Sequence, residues 1–357
     1  ELPSRIVSGW EALPGQLPHQ VSIRMVAANG AVTSCGGSVV HRDWVLTAAH
    51  CTAQQVTLVI RAGVVNLQRP AYMDETYTWY NHPTYNDHLV TIVQPNDISI
   101  VKLRTPLTYS PLIKAIKIQS QLESHRDYGR TNEVFYTSGF GRTWTGSAAS
   151  EVLNWVYLRA VSNLNCASLF GAIITDNTIC AQNYNVTSQS VCQGDSGGPL
   201  VHVGADGVPV LVGVTSFVAG DPYGCHSGFP AGFTRPGPFL SWLEQTTGID
   251  FENLDEEHEI STLPPSTTTQ EPLTTTEEPT VTEEPSTTTQ LPSTTTEGTT
   301  STTTQAPEET EEESSSSESE EDKELSDLMK RLEVEVKVKV KMDKLKKKTK
   351  VHEIKAK

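Results

Sequence analysis

Short apolar runs separated by turn-forming residues dominate residues 6–249. The clearest runs are residues 56–60, 98–103, 134–136 and 208–214, with Gly, Pro, Asn and Asp between them. This alternation of short strands and turns is typical of all-β barrels and sandwiches. Helical spacing of apolar residues is found mainly in Phe239–Glu244, just after Pro236 and Pro238, and it predicts one C-terminal helix over about residues 237–246.

The chain changes character after Asp250. Residues 251–322 are rich in Thr, Ser, Pro and Glu and contain few apolar residues, so they cannot bury enough surface to offset the entropy of ordering. We predict a disordered stalk there, either O-glycosylated like a mucin or an unmodified linker. Residues 323–357 form a basic tail, which we expect to be solvated and able to bind anionic partners, including residues 308–322.

The net charge of -16 over 357 residues belongs to the C-terminal part of the chain. Residues 1–250 carry 14 basic and 17 acidic residues, residues 251–322 carry 20 acidic and no basic residues, and residues 323–357 carry 13 basic and 6 acidic residues. The folded part is therefore nearly neutral. We expect no nucleic-acid partner, because the sequence shows no nucleic-acid recognition fold and its context is secretory. No stretch of 18 apolar residues occurs, so we predict no membrane span.

All six cysteines lie between Cys35 and Cys225. Six cysteines permit 15 pairings, and the spacing alone does not choose among them. Oxidised pairs indicate a secreted protein or one kept in a storage compartment derived from the secretory pathway. The chain opens without an apolar signal segment, and we expect any such segment to have been removed.

Three separated segments carry the candidate chemistry. Ser196 lies in Gly194–Pro199, His50 lies in Ala48–Cys51, and Asp97 begins an apolar run. A serine hydroxyl becomes a useful nucleophile when a base removes its proton and a third group holds that base in the correct tautomer. Glycines beside the serine allow a tight turn that points backbone N–H groups at a developing oxyanion. No metal or other cofactor is expected.

The conjunction of these segments resembles the chymotrypsin-type serine endopeptidases, and in particular the insect chymotrypsin-like and elastase-like secreted enzymes. The matching strings, in chain order, are Arg5–Gly9, Cys35–Ser38, Leu46–Cys51, Asn96–Ile98 and Gly194–Pro199. The resemblance implies a protease domain over residues 6–250. Its expected fold is all-β, with two six-stranded antiparallel Greek-key barrels at about residues 6–120 and 121–235, followed by the terminal helix and the disordered tail.

The resemblance also implies roles for single residues. His50 acts as the base for Ser196, and Asp97 stays ionised and orients the imidazole. The N–H groups of Gly194 and Ser196 receive the oxyanion, and Ser216 lies on the strand that pairs with the substrate backbone. The implied disulfides are Cys35–Cys51, Cys166–Cys180 and Cys192–Cys225.

Activation and specificity follow from the same resemblance. Cleavage after Arg5 would remove residues 1–5 and free the Ile6 amine, which pairs with Asp195 in this family. Ser190 lies at the base of the specificity pocket, and its walls are formed by Val218 and Ala231. A neutral base disfavours cationic side chains, which would be desolvated without a partner, so we expect cleavage after medium apolar residues such as Leu, Met, Phe, Val or Ala.

The leading hypothesis is a secreted, zymogen-derived serine endopeptidase of digestive, yolk-degrading or matrix-directed type. We expect a monomer whose partners are protein substrates, an activating trypsin-like protease and protein protease inhibitors. Asn185 begins the N-glycosylation sequon Asn185-Val186-Thr187. The alternative is an extracellular binding or matrix protein that uses the protease fold and the mucin-like tail, with catalysis minor or absent. We favour the enzyme, because the sequence retains His50, Asp97 and Ser196.

Overall fold

Two antiparallel sheets make up most of the folded chain. The structure, a computed structural model, describes Val7, residues 9–220 and residues 222–254. The predicted activation peptide 1–5, the predicted stalk from residue 255 to residue 322 and the predicted basic tail 323–357 therefore lie outside the described residues.

The elements follow one another in a single order along the chain. The strands are β1 (Trp10–Glu11), β2 (Gln20–Ala27), β3 (Val32–His41), β4 (Trp44–Thr47), β5 (Gln55–Ala62), β6 (Tyr72–Thr76), β7 (Trp79–Asn81), β8 (Ser99–Lys102), β9 (Lys117–Ile118), β10 (Val134–Gly139), β11 (Asn154–Val161), β12 (Thr178–Asn183), β13 (Pro199–Val203), β14 (Pro209–Phe217) and β15 (Ala231–Thr234). The helices are α1 (Ala49–Thr52), α2 (Asn163–Phe170) and α3 (Leu240–Thr247), with 3-10 turns at Gly171–Ile173 and Gly237–Phe239.

The C-terminal half forms a closed six-stranded barrel. Strands β10, β11, β12, β15, β14 and β13 pair in that cyclic order, because β11 also pairs with β12 and β13 returns beside β10. A fourth strand that returns beside the first of three consecutive strands is the Greek-key arrangement. Phe135, Leu158 and Phe233 fill the centre of this barrel.

The N-terminal half is a seven-stranded sheet in the order β6-β5-β2-β3-β4-β8-β7. Its pairing does not close, since β6 pairs with β5 and β7 pairs with β8. Only Tyr77 and Thr78 separate β6 from β7. A single interrupted strand therefore supplies both edge strands of the sheet. The all-β fold is thus confirmed, but the predicted first six-stranded barrel is a half-barrel. β5 returns beside β2, which again gives a Greek-key order.

Two short strands join the second sheet from the first half of the chain. β1 pairs with β11, with Trp10 opposite Trp155, and β9 pairs in parallel with β14. The predicted division near residue 120 is therefore crossed by backbone pairing in both cases. Between the two sheets, buried Ser138 donates to Gln20 Oε1 at 2.7 Å, which joins β10 to β2.

The terminal helix packs against the N-terminal sheet. Leu240 and Leu243 of α3 are buried with the core of that sheet, and the helix ends at Gly248 in the left-handed conformation. Packing continues past the predicted domain end at residue 250, because Phe251 is 3% exposed in the same core. Among the described residues, no helix combines the length and apolarity needed to cross a membrane.

Candidate active site

His50 is carried by the one-turn helix α1, which follows β4 directly. The Cys35–Cys51 disulfide ties the residue after His50 to β3. Thr52, at the end of the same turn, lies 3.0 Å from the hydroxyl of Ser99 in β8. Helix α1 is therefore fixed to two strands of the N-terminal sheet, β3 and the strand β8 that follows Asp97.

Asp97 lies in the loop that leads into β8. The preceding Asn96 has φ of 59°, a left-handed conformation that asparagine tolerates better than most residues. Its side-chain amide donates to Thr84 at 2.8 Å and its amide oxygen accepts from Asn177 at 3.0 Å. These two bonds hold the loop between the two halves of the molecule, and Asp97 is 3% exposed.

Three hydrogen bonds converge on the Asp97 carboxylate. The His50 backbone N–H donates to Oδ1 at 2.9 Å, and His50 Nδ1 lies 2.7 Å from Oδ2. The Ser216 hydroxyl donates to Oδ2 at 2.6 Å. With Nδ1–H donating to the carboxylate, the other ring nitrogen of His50, Nε2, carries a lone pair and can accept a proton.

The charges of this pair stabilise each other. Burial lowers the pKa of His50, but the Asp97 charge and its hydrogen bond outweigh burial and raise that pKa above the usual 6.5. Burial likewise raises the pKa of Asp97, and the opposing His50 charge, together with the hydrogen bonds from His50 and Ser216, lowers it below its usual 3.8. Asp97 is therefore ionised at neutral pH.

The Ser196 loop rests against the strands that lead to His50. The Ser196 carbonyl accepts from the Gly36 N–H in β3 at 2.7 Å. Gly197 has φ of 77°, and a side chain on it would collide with Thr47 Oγ1 at the end of β4 and with the Gly36 carbonyl in β3. The structure thus brings the serine loop onto the same strand ends that carry α1, and Ser196 and His50 are both partly exposed there.

The backbone N–H groups around Ser196 divide into bonded and unbonded ones. Those of Asp195, Gly197 and Gly198 donate to the carbonyls of Cys192, Thr215 and Asp195 at 2.7–3.0 Å. Within the described part of the chain, the N–H groups of Gly194 and Ser196 have no such acceptor. Gly194 has φ of 100° and lies against Gly141, which favours glycine there.

Asp195 is a fully buried carboxylate beside Ser196. It accepts from the Gly141 N–H at 2.8 Å and from the Cys192 N–H at 2.9 Å. Burial raises its pKa to about 6, although these two hydrogen bonds oppose the shift. Val7 is also fully buried, forms a β-bridge with Ser190 and packs against the Cys192–Cys225 disulfide. The predicted cleavage point at Arg5 and Ile6 lies outside the described residues.

The predicted specificity residues come together near that disulfide. Ser190 is 6% exposed and Ala231 is 1% exposed, and partly buried Val218 packs against both the C-terminal barrel core and the Val7 cluster. Among the described residues, Asp97 and Asp195 are the only buried acids, and both carboxylates have the partners given above. Apart from these two, no described residue places a buried carboxylate near Ser190.

Some features of the site have no clear signal in the sequence. Ser216 was predicted to lie on the substrate-pairing strand. Its hydrogen bond to Asp97 was not predicted. Gly141 was not predicted to bind Asp195, since the two residues are 54 positions apart. Phe217 lies over Gly232 and meets Phe170 edge-on at 5.3 Å, so it forms an apolar surface beside Val218.

The cysteines have the pairing that the resemblance implies. Besides Cys35–Cys51, the structure contains the disulfides Cys166–Cys180 and Cys192–Cys225. In the described part of the chain, one cluster of three His, Cys, Asp or Glu side chains is compact enough to hold a metal, and it consists of Cys35, His50 and Cys51. Its sulfur atoms are bonded to each other, so it offers no thiolates. Asn185 is exposed in the loop after β12.

The chain is similar to a large family of known proteins. A family model described as Trypsin matches residues 6–243. A collagenase of Hypoderma lineatum is 32% identical over 257 residues, which covers 69% of this chain and 89% of the relative. The rat chymotrypsin-like elastase family member 1 is 32% identical and covers 68% of this chain and 90% of its own length.

Two further matches cover a similar part of the chain. Brachyurin of Leptuca pugilator is 33% identical, covering 68% of this chain and 99% of the relative. A solved structure of HL collagenase superposes with a TM-score of 0.60 at 31% identity, covering 68% of this chain and 99% of that structure.

Proposed function

Because the chain belongs to the trypsin family of serine endopeptidases, we propose that Ser196, His50 and Asp97 are its catalytic triad. The observation that carries this proposal is the Asp97 carboxylate, which binds both the ring and the backbone of His50 while the Ser196 loop lies against the same strand ends. That arrangement leaves His50 Nε2 as the acceptor for a neighbouring hydroxyl proton.

The reaction proceeds in two halves. Ser196 Oγ bonds to the substrate carbonyl carbon while its proton moves to His50 Nε2. The carbon–nitrogen bond then breaks, and the leaving amine takes that proton. Water repeats the sequence on the acyl-enzyme, with His50 again as base, and releases the acid. Asp97 remains ionised throughout and stabilises the imidazolium.

The N–H groups of Gly194 and Ser196 receive the negative oxygen of each tetrahedral intermediate. Their lack of an acceptor within the described residues supports this role, since the N–H groups of Asp195, Gly197 and Gly198 in the same loop are engaged. A preorganised donor of this kind contributes on the order of 10²–10³ in rate.

Specificity is proposed for medium apolar side chains ahead of the cleaved bond. Ser190 provides a neutral base, Ala231 a small wall, and Val218 narrows the entrance. A Lys or Arg side chain entering such a pocket would lose its hydration without gaining a carboxylate partner.

We expect reporter peptides with Ala, Val, Leu, Met or Phe before the scissile bond to be cleaved with kcat/KM on the order of 10²-fold higher than the Arg or Lys analogues.

Val218→Gly widens the entrance of the pocket, so it should raise the Phe-to-Ala ratio of kcat/KM by about tenfold. Steady-state kinetics on a matched series measures both. Preferred cleavage after Arg by the unaltered protein would contradict the pocket assignment.

Activation is proposed to occur by cleavage after Arg5. The resulting Ile6 ammonium would pair with Asp195, whose buried carboxylate has two backbone donors and no cationic partner among the described residues. The burial of Val7 beside Ser190 supports this, because it holds the N-terminal segment next to the loop that contains Asp195. Without the ammonium, the loop with Gly194 is expected to lose its catalytic conformation.

Arg5→Gln is expected to give a folded protein that trypsin treatment does not activate, with turnover of a Leu reporter lower by at least about 10²–10³-fold, because the oxyanion donors are not assembled. Arg24→Gln, an exposed change of the same type on β2, is the control and should activate normally. Full turnover by Arg5→Gln with residues 1–5 still attached would overturn the activation proposal.

The three disulfides support secretion or storage in a secretory-derived compartment. We propose protein substrates, an activating trypsin-like protease and protein inhibitors as partners, and a monomer as the active unit. The exposure of Asn185 supports N-glycosylation there.

A further inference from the structure

A cavity of about 430 Å³ lies away from the proposed triad, where the described part of the chain ends. Its walls come from the β3–β4 turn, the segment before β9 and the residues after α3. Arg42, Lys114 and Lys117 supply positive charge, and Tyr136, Phe251 and Leu254 supply apolar surface. None of the proposed catalytic or specificity residues lines it.

The three cations of this cavity lack acidic partners among the described residues. Two other surface cations are paired with acids: Lys102 lies 3.3 Å from Asp43, and Arg126 lies 2.9 Å from Glu133. Glu252 also lines the cavity, but its carboxylate accepts from the Gln121 N–H at 2.7 Å. The cavity therefore has an excess of positive charge.

The end of the described chain is fixed at the rim of this cavity. Asp250 accepts from the N–H groups of Glu252 and Asn253 at 3.0 and 3.2 Å and from the Asn253 side chain at 2.8 Å. Phe251 is anchored in the core, and Leu254 lines the cavity itself. Whatever follows Leu254 thus starts beside the three cations.

The sequence that follows is Asp255-Glu256-Glu257-His258-Glu259, with four acids in five residues. Five residues span at most about 18 Å, so these carboxylates cannot move far from the rim. A tether this short gives an effective concentration on the order of millimolar. Weak ion pairs that would be negligible between separate molecules become populated under that condition.

We propose that the acidic segment 255–259 binds in this cavity of its own chain, with its carboxylates against Arg42, Lys114 and Lys117. The contact would hold the end of α3 against the N-terminal sheet. It would also fix where the C-terminal extension begins relative to the folded domain. It acts on domain stability and is independent of the triad.

Zero-length carbodiimide cross-linking of the full chain tests the proposal directly. At low ionic strength, peptide mapping should find amide links from Lys114 or Lys117 to carboxylates of residues 255–259. The Lys102–Asp43 pair provides an internal positive control. In 1 M salt, where the Debye length falls to about 3 Å, the links to residues 255–259 should decrease strongly.

A thermal measurement gives an independent readout. Neutralising the segment as D255N/E256Q/E257Q/E259Q should lower Tm by about 2–4 °C at low salt, and 1 M salt should remove the difference. The matched control E308Q/E309Q/E311Q/E312Q removes the same charge farther along the chain and should leave Tm unchanged.

Three outcomes of the cross-linking experiment would overturn the proposal. One is a Lys102–Asp43 link without any link from Lys114 or Lys117 to residues 255–259. Another is linkage of those lysines to residues 308–322 instead. The third is linkage between isotopically distinct copies in a mixed sample, which would identify a second molecule as the occupant. An equal Tm loss in both charge-neutralised variants would likewise argue against a local contact.

Discussion

Ser196→Ala is expected to abolish peptidase activity, with kcat lower by about 10⁶-fold. The substitution removes only the attacking oxygen. The Ser196 carbonyl still accepts from Gly36, and the conformations of Gly194 and Gly197 do not depend on the hydroxyl. The oxyanion donors and the pocket therefore persist, and about 10³–10⁴-fold acceleration over water should remain.

The measurement combines kinetics on a Leu reporter peptide with fluorophosphonate labelling and peptide mapping of the activated protein. Ser241→Ala, an exposed serine of α3, is the matched control and should retain full kcat and full labelling. Unchanged melting of Ser196→Ala would show that the loss is chemical. If the label maps to another residue, or if Ser196→Ala keeps more than about a hundredth of the activity, the nucleophile assignment fails.

Local sequence strings were enough to identify the residues of the candidate site because each string carries a backbone requirement. Gly194 and Gly197 flank Ser196 with positive φ, and a side chain on Gly197 would collide with Thr47. The glycines themselves are readable in the sequence, and the fold then shows which contacts require them. The contact between Ser216 and Asp97 was not predictable in this way, because it joins residues 119 positions apart through the packing of the two halves.

The fold shows the same division between local and distant information. Apolar runs predicted β5, β8, β10 and β14 because strand burial leaves a local pattern. The interruption at Tyr77 and Thr78, which separates β6 from β7, leaves no comparable pattern, so the N-terminal barrel was predicted as closed. The pairing of β1 with β11 also depends on contacts between distant segments.

Helix α2 was missed for a related physical reason. Cys166 is its one buried residue, so the helix has almost no apolar periodicity to read. Its local signal is weak and lies in Ser162, whose side chain accepts from the Asn165 N–H at 3.3 Å as an N-cap. The Cys166–Cys180 disulfide fixes α2 to β12, and that link was implied only by the family resemblance.

Asp97→Asn is expected to lower kcat by about 10⁴-fold with little change in KM. The carboxylate accepts from the His50 backbone N–H on one oxygen and from His50 Nδ1 and Ser216 on the other. An amide has one oxygen and one NH₂ group. If the NH₂ faces His50 Nδ1, the ring must carry its proton on Nε2 and cannot accept the Ser196 proton. If the NH₂ turns away, it meets the His50 backbone N–H, and two donors oppose each other.

The pH profile separates this mechanism from a structural defect. In the unaltered enzyme, Asp97 raises the pKa of His50 above 6.5. Activity requires neutral His50, so kcat/KM should be full above that pKa and fall as pH drops through it, with a midpoint above 6.5. In Asp97→Asn the residual activity should have its midpoint at lower pH, because the stabilising charge is gone and burial remains. Asp206→Asn, an exposed change in the β13–β14 turn, should leave both kcat and the midpoint unchanged. An Asp97→Asn enzyme with normal kcat, or with its midpoint displaced upward, would mean that Asp97 does not orient and charge-stabilise His50.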